Sequence, residues 1–517
     1  MKKIIYAICP ALLCFSVAAF AQPVDEPEVI DPIVQQYLDM QENGDSGGEG
    51  ASQYVKQEKI YPDPKRPKAA TQEQIQAAID KNAEHATQEY VDESNDTFKY
   101  GVEDQICSAL DTLISEEDPR FVEAVYDLFS ETKSSVVKQK VLAYFTKLKD
   151  PCLEDFAVGV INDPYDEKKA IVSACFSYVS AVKSTAAVPG VVDLLDKEEE
   201  DYFNSALSCL GDVGGDEEAV FIAEYLDRSD LTTAQRQQLM KVLGKLKAVQ
   251  TYDKLVEIVQ NEDEDSYVRM YAAEAIGAMQ MDNAEEILAD LFETDDANLR
   301  VYVIKGLSNF TDKMATDIII QALRDSQYKV RLEAINSVQQ QELKSAVPYL
   351  IYRCKDKGEQ QQVKDKCYTV LADFNTKEGN DYLVSLIKDK RLGDNTKAKV
   401  AAALLKNGNA GTSEIIELAR DTLKNDIHKN LRYSLGKEFA KYGRAEYEGI
   451  CSEYLANKDV ATQGTGIDIY AKGKYSSLTP QIEQIARNGK KNNANAKKAR
   501  KILGMAEEDE ERPEATE

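Results

Sequence analysis

Residues 268–277 read Val268-Arg269-Met270-Tyr271-Ala272-Ala273-Glu274-Ala275-Ile276-Gly277. Val268, Ala272 and Ile276 are four residues apart, so a helix would carry them on one face. With Val268 as an anchor, related stretches align at Val137, Ala170, Tyr202, Gln235, Leu299, Val330, Val363, Lys397, Leu431, Thr462 and Asn495, at spacings of 31 to 34 residues. Four residues past every anchor the side chain is small or apolar, from Val141 to Ala499. Eight past, all twelve are apolar or aromatic, from Phe145 to Leu503. The chain is therefore an array of repeats rather than a set of unlike domains.

A second apolar helical stretch precedes each copy, as in Ala187-Val188-Pro189-Gly190-Val191-Val192 and Ala346-Val347-Pro348-Tyr349-Leu350-Ile351. Proline near a helix start is tolerated, because the donor it lacks would be unpaired there anyway. Gly214-Gly215-Asp216 and Gly408-Asn409-Ala410-Gly411 mark turns. Each unit is thus expected to be two antiparallel helices. One unit cannot bury its apolar face alone, so neighbours must stack. The expected fold is all-α, a right-handed α-solenoid of about twelve two-helix units.

These units resemble HEAT repeats in their short bacterial form, over roughly residues 100 to 505. Ala-Val-Pro with Leu on the first helix carries the resemblance. So does Asp, four residues, then Val-Arg and a later Ala on the second. Asp263 with Val268-Arg269, and Asp325 with Val330-Arg331, show it fully. Asp230 with Arg236, and Asp426 with Arg432, keep the charges around the anchors Gln235 and Leu431. Tetratricopeptide and ankyrin signatures are absent.

The N-terminus suggests a compartment. Met1-Lys2-Lys3 is basic, Ile4 to Phe20 is almost wholly apolar, and Ala19-Phe20-Ala21 supplies small residues at alternate positions. That is the anatomy of a secretory signal peptide over 1–21, with export to a periplasm expected. A lipid anchor at Cys14 is the alternative, and the bulky Leu12 and Leu13 before it argue against that reading. No other segment approaches a membrane span. Residues 22–70, rich in proline and glycine, read as a disordered tether. Ile30, Ile33, Val34, Tyr37 and Leu38 could share a short helical face there, as a fraying helix or as a docking peptide. Residues 71–100 read as a helical lead-in, 101–505 as the solenoid and 506–517 as an acidic tail.

The chain has 517 residues, 43% apolar and 30% charged, with a formal charge of −27. An acidic chain is a poor candidate for nucleic-acid binding. Its chemical inventory is thin. His85 and His428 are the only histidines, and neither sits in a zinc-protease motif or in the His-Glu step of iron-binding HEAT enzymes. No glycine-rich loop ends in Gly-Lys-Ser or Gly-Lys-Thr. Asn261, Asp263 and Asp265 alternate like a calcium loop but lack its glycine and closing glutamate. The seven cysteines past Ala21 are widely spaced, and buried free thiols are expected over a disulfide framework. No metal or other cofactor is expected.

Three surface features remain. The residue after the anchor is basic in seven copies, among them Arg236, Arg269, Arg331 and Arg432. It reads as an Asp–Arg ladder tying neighbouring units together, or as a track for an acidic ligand; the structural reading is the simpler. Two past the anchor, pointing about 170° from the core face at 100° per residue, lie Met270, Val301 and Leu332, with Tyr271 and Tyr302 beside them. They form a partner-contact strip or pack against neighbouring helices. Finally, residues 101–300 are net −24 and residues 301–506 net +11. Such halves can steer partners or favour self-association.

The expected function is a non-enzymatic periplasmic scaffold whose concave face binds protein partners around residues 265 to 340. A binder of a cell-envelope polymer is the alternative, and a HEAT-like lyase-type enzyme the third reading.

Overall fold

The computed structural model describes residues 66–81, 85, 87–408, 410–488 and 493–505. The expected signal peptide, Cys14, the tether up to residue 65, the helical face at Ile30 to Leu38 and the acidic tail lie outside these. The described residues form 27 α-helices and no strand.

The second helices are Glu103–Glu116, Ser135–Leu148, Lys169–Val182, Phe203–Val213, Thr233–Lys245, Ser266–Met279, Ala297–Leu307, Tyr328–Gln340, Gln361–Phe374, Asp394–Asn407, Lys429–Tyr442, Val460–Gly473 and Ala494–Leu503. Each packs on the second helices before and after it and on the first helix of its own unit. This is an all-α solenoid. Glu103–Glu116 stands ahead of the first anchor as a further member of the row, burying Ile106, Leu110 and Leu113.

The repeat face is the core. Every position four or eight past an anchor is buried except Ala174 and Leu503. Ala174 marks a register error of one residue. The anchor Ala170 is exposed, and its helix buries Ile171, Cys175 and Val179 instead. Alanine fits a core or a rim equally well, so Ala170 and Ala174 carried no register information.

Side-chain caps start many of these helices. Asp265 accepts from the backbone N–H groups of Tyr267 and Val268 at 3.0 and 3.1 Å. Asp296 accepts from those of Asn298 and Leu299 at 2.8 and 3.3 Å. Each such cap is worth about 1 kcal/mol. Asp265 therefore belongs to a cap, and the Asn261–Asp265 motif is a helix-leading turn. Pro189 and Pro348 sit in the first turns of their helices, where no intrahelical donor is needed.

At the centre, the second helices meet backbone to backbone. A Cβ on Gly277 would overlap the Gly306 backbone, and one on Gly244 would lie 2.8 Å from Ala275 Cα. Near the N-terminal end, buried tyrosines tie units together instead. Tyr144 donates to the Asp118 carbonyl and Tyr178 to the Asp150 carbonyl, both at 2.6 Å. The end of the expected tether is also structured: Pro67 is buried, and the Lys68 N–H donates to the Asp150 carboxylate at 2.7 Å. No helix among the described residues is long and apolar enough to cross a membrane.

Candidate partner-binding surface

The basic residue after the anchor does tie units together, but the pairing expected within each copy is mostly wrong. Arg236 bonds Glu264 of the next unit at 2.9 and 2.8 Å, whereas Asp230 pairs with Arg228. Arg269 donates to the Val259 carbonyl at 3.0 Å, and Asp263 stays exposed without it. Asp325 turns its carboxylate to Arg300 of the preceding unit, at 2.8 and 3.0 Å. Arg331 takes only the Asp325 carbonyl, at 2.7 Å, and sends its fork forward to Glu359. Arg432 alone keeps the expected partner, Asp426, at 2.8 Å. The physical reason is direction. Long helical side chains lean toward the N-terminal end of their helix, where the acid-bearing turn of the neighbouring unit lies. The arginines are therefore committed to structure.

The apolar strip is only partly a surface. Met270 is 4% exposed, so its expected place on an open face is not met. In a solenoid, two neighbouring second helices flank each second helix, which widens the buried arc beyond one stripe. Val301 and Leu332 are half-buried.

Tyr271 and Tyr302, three past their anchors, remain half-exposed and meet edge to face, with centroids 5.0 Å apart at 88°. Lys241 lies over the Tyr271 ring at 4.1 Å and Lys305 over the Tyr302 ring at 4.4 Å. Hydrogen bonding with Tyr302, and then the Lys241 ammonium, hold the Tyr271 phenol below its ordinary value. Burial, and then the bond to Tyr271, push that of Tyr302 up. Two aromatic faces and two cations thus span three successive second helices. The lysines were missed in the sequence. Their signal was position, since both lie six past an anchor, on the exposed flank that carries the tyrosines.

Other reactive groups are spoken for. His85 bonds Glu116 at 2.9 Å and stacks on Tyr90 at 3.9 Å; His428 bonds Asp394 at 2.8 Å. Six of the seven described cysteines are buried, and all seven are free thiols. Burial pushes the thiols of Cys175 and Cys451 up to about 12, far from the thiolate form a nucleophile needs. Among the described residues, no three His, Cys, Asp or Glu side chains gather as metal ligands would.

Comparison with solved structures finds matches at low identity. Kap121p matches at 11% identity and a TM-score of 0.37, over 84% of this chain and 57% of that one. Kap121p bound to the extreme C-terminus of the phosphatase Cdc14p matches at 12% and 0.39, over 84% and 55%. Importin beta matches at 11% and 0.37, over 83% and 70%. The chain thus spans little more than half the length of Kap121p. No curated protein matches the chain in sequence. The family model described as spirochaete HEAT repeat protein matches residues 98–502. It covers the row of second helices from Glu103 up to the next-to-last residue of Ala494–Leu503, and this chain belongs to that family.

Proposed function

We propose that the chain is an exported, non-enzymatic scaffold that holds a protein partner against the second-helix row around Tyr271 and Tyr302. The observation that carries this reading is the edge-to-face tyrosine pair with a lysine over each ring. Tyrosine brings large contact area at small entropic cost, and aromatic residues are enriched in protein interfaces. Lys241 and Lys305 would lie at the rim and favour a partner with acidic groups around an apolar centre. The charged N-terminus and apolar run before Ala21 support export to a periplasm.

Proximity labelling in the native cell tests the reading. The wild-type chain should enrich envelope proteins that the Tyr271→Ser/Tyr302→Ser variant loses, with circular dichroism unchanged. Equal enrichment by both would refute the patch. Sedimentation of the purified chain with cell-wall sacculi, and no protein enrichment, would favour an envelope polymer as the ligand.

A further inference from the structure

Towards the C-terminus, neighbouring first helices are joined across unit boundaries by opposite charges or by neutral groups. Lys388 on Lys377–Lys388 pairs with Glu414 on Thr412–Leu423 at 3.1 Å. Arg420 on that helix pairs with Glu453 on Glu448–Leu455 at 2.7 Å. Ser452 donates in turn to Gln481 on Thr479–Asn488 at 3.0 Å. The boundary between Ala284–Leu291 and Lys313–Ala322 is different, because two carboxylates meet there. Glu285 and Asp312 both accept from the Ala315 backbone N–H, at 2.7 and 3.2 Å. Glu285 stands in the first turn of the first helix of the unit anchored at Leu299, and Asp312 caps the first helix of the next unit.

One N–H cannot neutralise two carboxylates. Like charges converging on one donor disfavour double ionisation, so the pair keeps a proton that a lone carboxyl would have lost. The proton sits on Glu285. Burial, and then Asp312, raise the Glu285 carboxyl to about 7, while the hydrogen bond with Glu285 holds Asp312 below its ordinary range. Protonated Glu285 donates to Asp312 and ties the two units. Ionised Glu285 repels Asp312 across the same boundary. The other charges around the pair do not offset this. Glu286, on the same helix, is a further negative charge. Lys313 pairs with Asp317 on its own helix. Of the helices packed on these two, Ser266–Met279 carries Arg269 and Glu274, and Arg269 is held at the Val259 carbonyl. Ala297–Leu307 carries Arg300, paired with Asp325, and Lys305, held over the Tyr302 ring. Tyr328–Gln340 carries Lys329, Arg331 and Glu333; its two cations lie in its first turn, which follows the end of Lys313–Ala322 remote from Asp312.

We propose that this boundary is a proton-controlled hinge between the units anchored at Leu299 and Val330, closed while Glu285 carries a proton and loosened when both carboxylates are ionised. The second helices of the two units, Ala297–Leu307 and Tyr328–Gln340, pack on each other. On that side the units are tied by Arg300 and Asp325 at 2.8 and 3.0 Å, a pair of opposite charges that needs no proton. The hinge axis lies along that contact. Loosening the first-helix side alone then changes the angle between the two units. In a solenoid each unit contacts only its neighbours, so an angle changed at one boundary is carried to both ends of the row. The device uses different residues from the tyrosine patch and stands without it. Its sign follows from the raised carboxyl: the tie is whole below about 4.5 and is lost as pH rises through about 7.

Hydrogen exchange of the full chain at pH 6 and pH 8, corrected for the pH dependence of intrinsic exchange, tests the hinge. In the wild type the first turns of Lys313–Ala322 should exchange about threefold faster or more at pH 8. Thr412–Leu423, whose boundary carries the Lys388–Glu414 ion pair, should not change. Glu285→Gln keeps an acceptor for Ala315 and gains a donor to Asp312, so it should behave at both pH values like the wild type at pH 6. Asp312→Asn still caps the helix and should also abolish the difference. Glu286→Gln should keep it. Small-angle scattering should give a radius of gyration that differs between the two pH values in the wild type and not in Glu285→Gln. The proposal is overturned if the wild type shows no difference in exchange, or if the difference survives in Glu285→Gln and Asp312→Asn. Loss of the difference in Glu286→Gln would overturn it by moving the proton to another carboxyl. Equal acceleration of Thr412–Leu423 would overturn it by making the effect global. A radius of gyration unchanged by pH in the wild type would overturn the hinge.

Discussion

The forward register of the arginine ladder can be tested at its most buried rung. The Glu359 side chain is 0% exposed and that of Arg331 9%. Glu359 accepts from Arg331 Nε at 2.7 Å and from Nη2, and from the Gln360 backbone N–H at 2.8 Å. Glu359→Ala removes these acceptors at once. Arg331 Nη1 keeps the carbonyls of Asp325 and Ser326 at 2.7 and 3.0 Å, but Nε and Nη2 are left buried without a counter-charge. Breaking one side of a buried pair costs about 3–5 kcal/mol. The two surviving carbonyl bonds put this case at the low end, about 3 kcal/mol. Global melting averages over all the units of a long repeat array, so a local readout is sharper for one rung. Hydrogen exchange of the helix Gln361–Phe374 reports the unit itself. At about 1.4 kcal/mol per decade, its slowest amides should exchange roughly a hundredfold faster. Asp263→Ala, at an exposed residue outside the ladder, should change exchange in Ser266–Met279 by about twofold or less, the usual range for surface substitutions. Arg331→Met combined with Glu359→Leu should recover part of the loss, because Arg353, which also bonds Glu359 at 3.4 Å, then keeps only Asp356 at 3.6 Å. If Asp263→Ala loosened its helix as much as Glu359→Ala loosens its own, the forward pairing would be wrong.

Gly277→Ala should destabilise by about 1–3 kcal/mol despite alanine's better helix propensity, because the new Cβ meets the Gly306 backbone, which cannot rotate away. Gly159→Ala, with nothing within 4 Å of the new Cβ, should stabilise by up to about 1 kcal/mol; urea midpoints of the two variants should move in opposite directions. Tyr178→Phe should cost about 1–3 kcal/mol in denaturation, since Tyr178 both donates to the Asp150 carbonyl and accepts from the buried Leu153 N–H at 3.0 Å. Burial and then the Asp312 carboxylate beside it raise the Glu285 carboxyl to about 7, so the folded state holds a proton that the unfolded chain gives up near 4.5. That contribution is full below about 4.5 and is lost as pH rises through 7, so Glu285→Gln should raise the melting temperature at pH 8 and leave it nearly unchanged at pH 4.

Helical periodicity carried the fold because every unit repeats the same burial requirement, and twelve noisy copies average into one pattern. It failed where a residue is indifferent to burial, as at Ala170, and where the copy is worn, as at the second helix Glu103–Glu116, which has no anchor in the twelve-member alignment. Met270 shows a second limit. A helical wheel places a side chain relative to its own helix, whereas burial in a solenoid is set by the helices on either side. The ladder shows a third. Arg331 and Glu359 are 28 residues apart, and no local motif names the acid that an arginine will reach across a unit boundary. The tyrosine pair was legible because it sits at equal offsets in adjacent copies. The lysines over it emerge only when the exposed flanks of three helices are laid side by side.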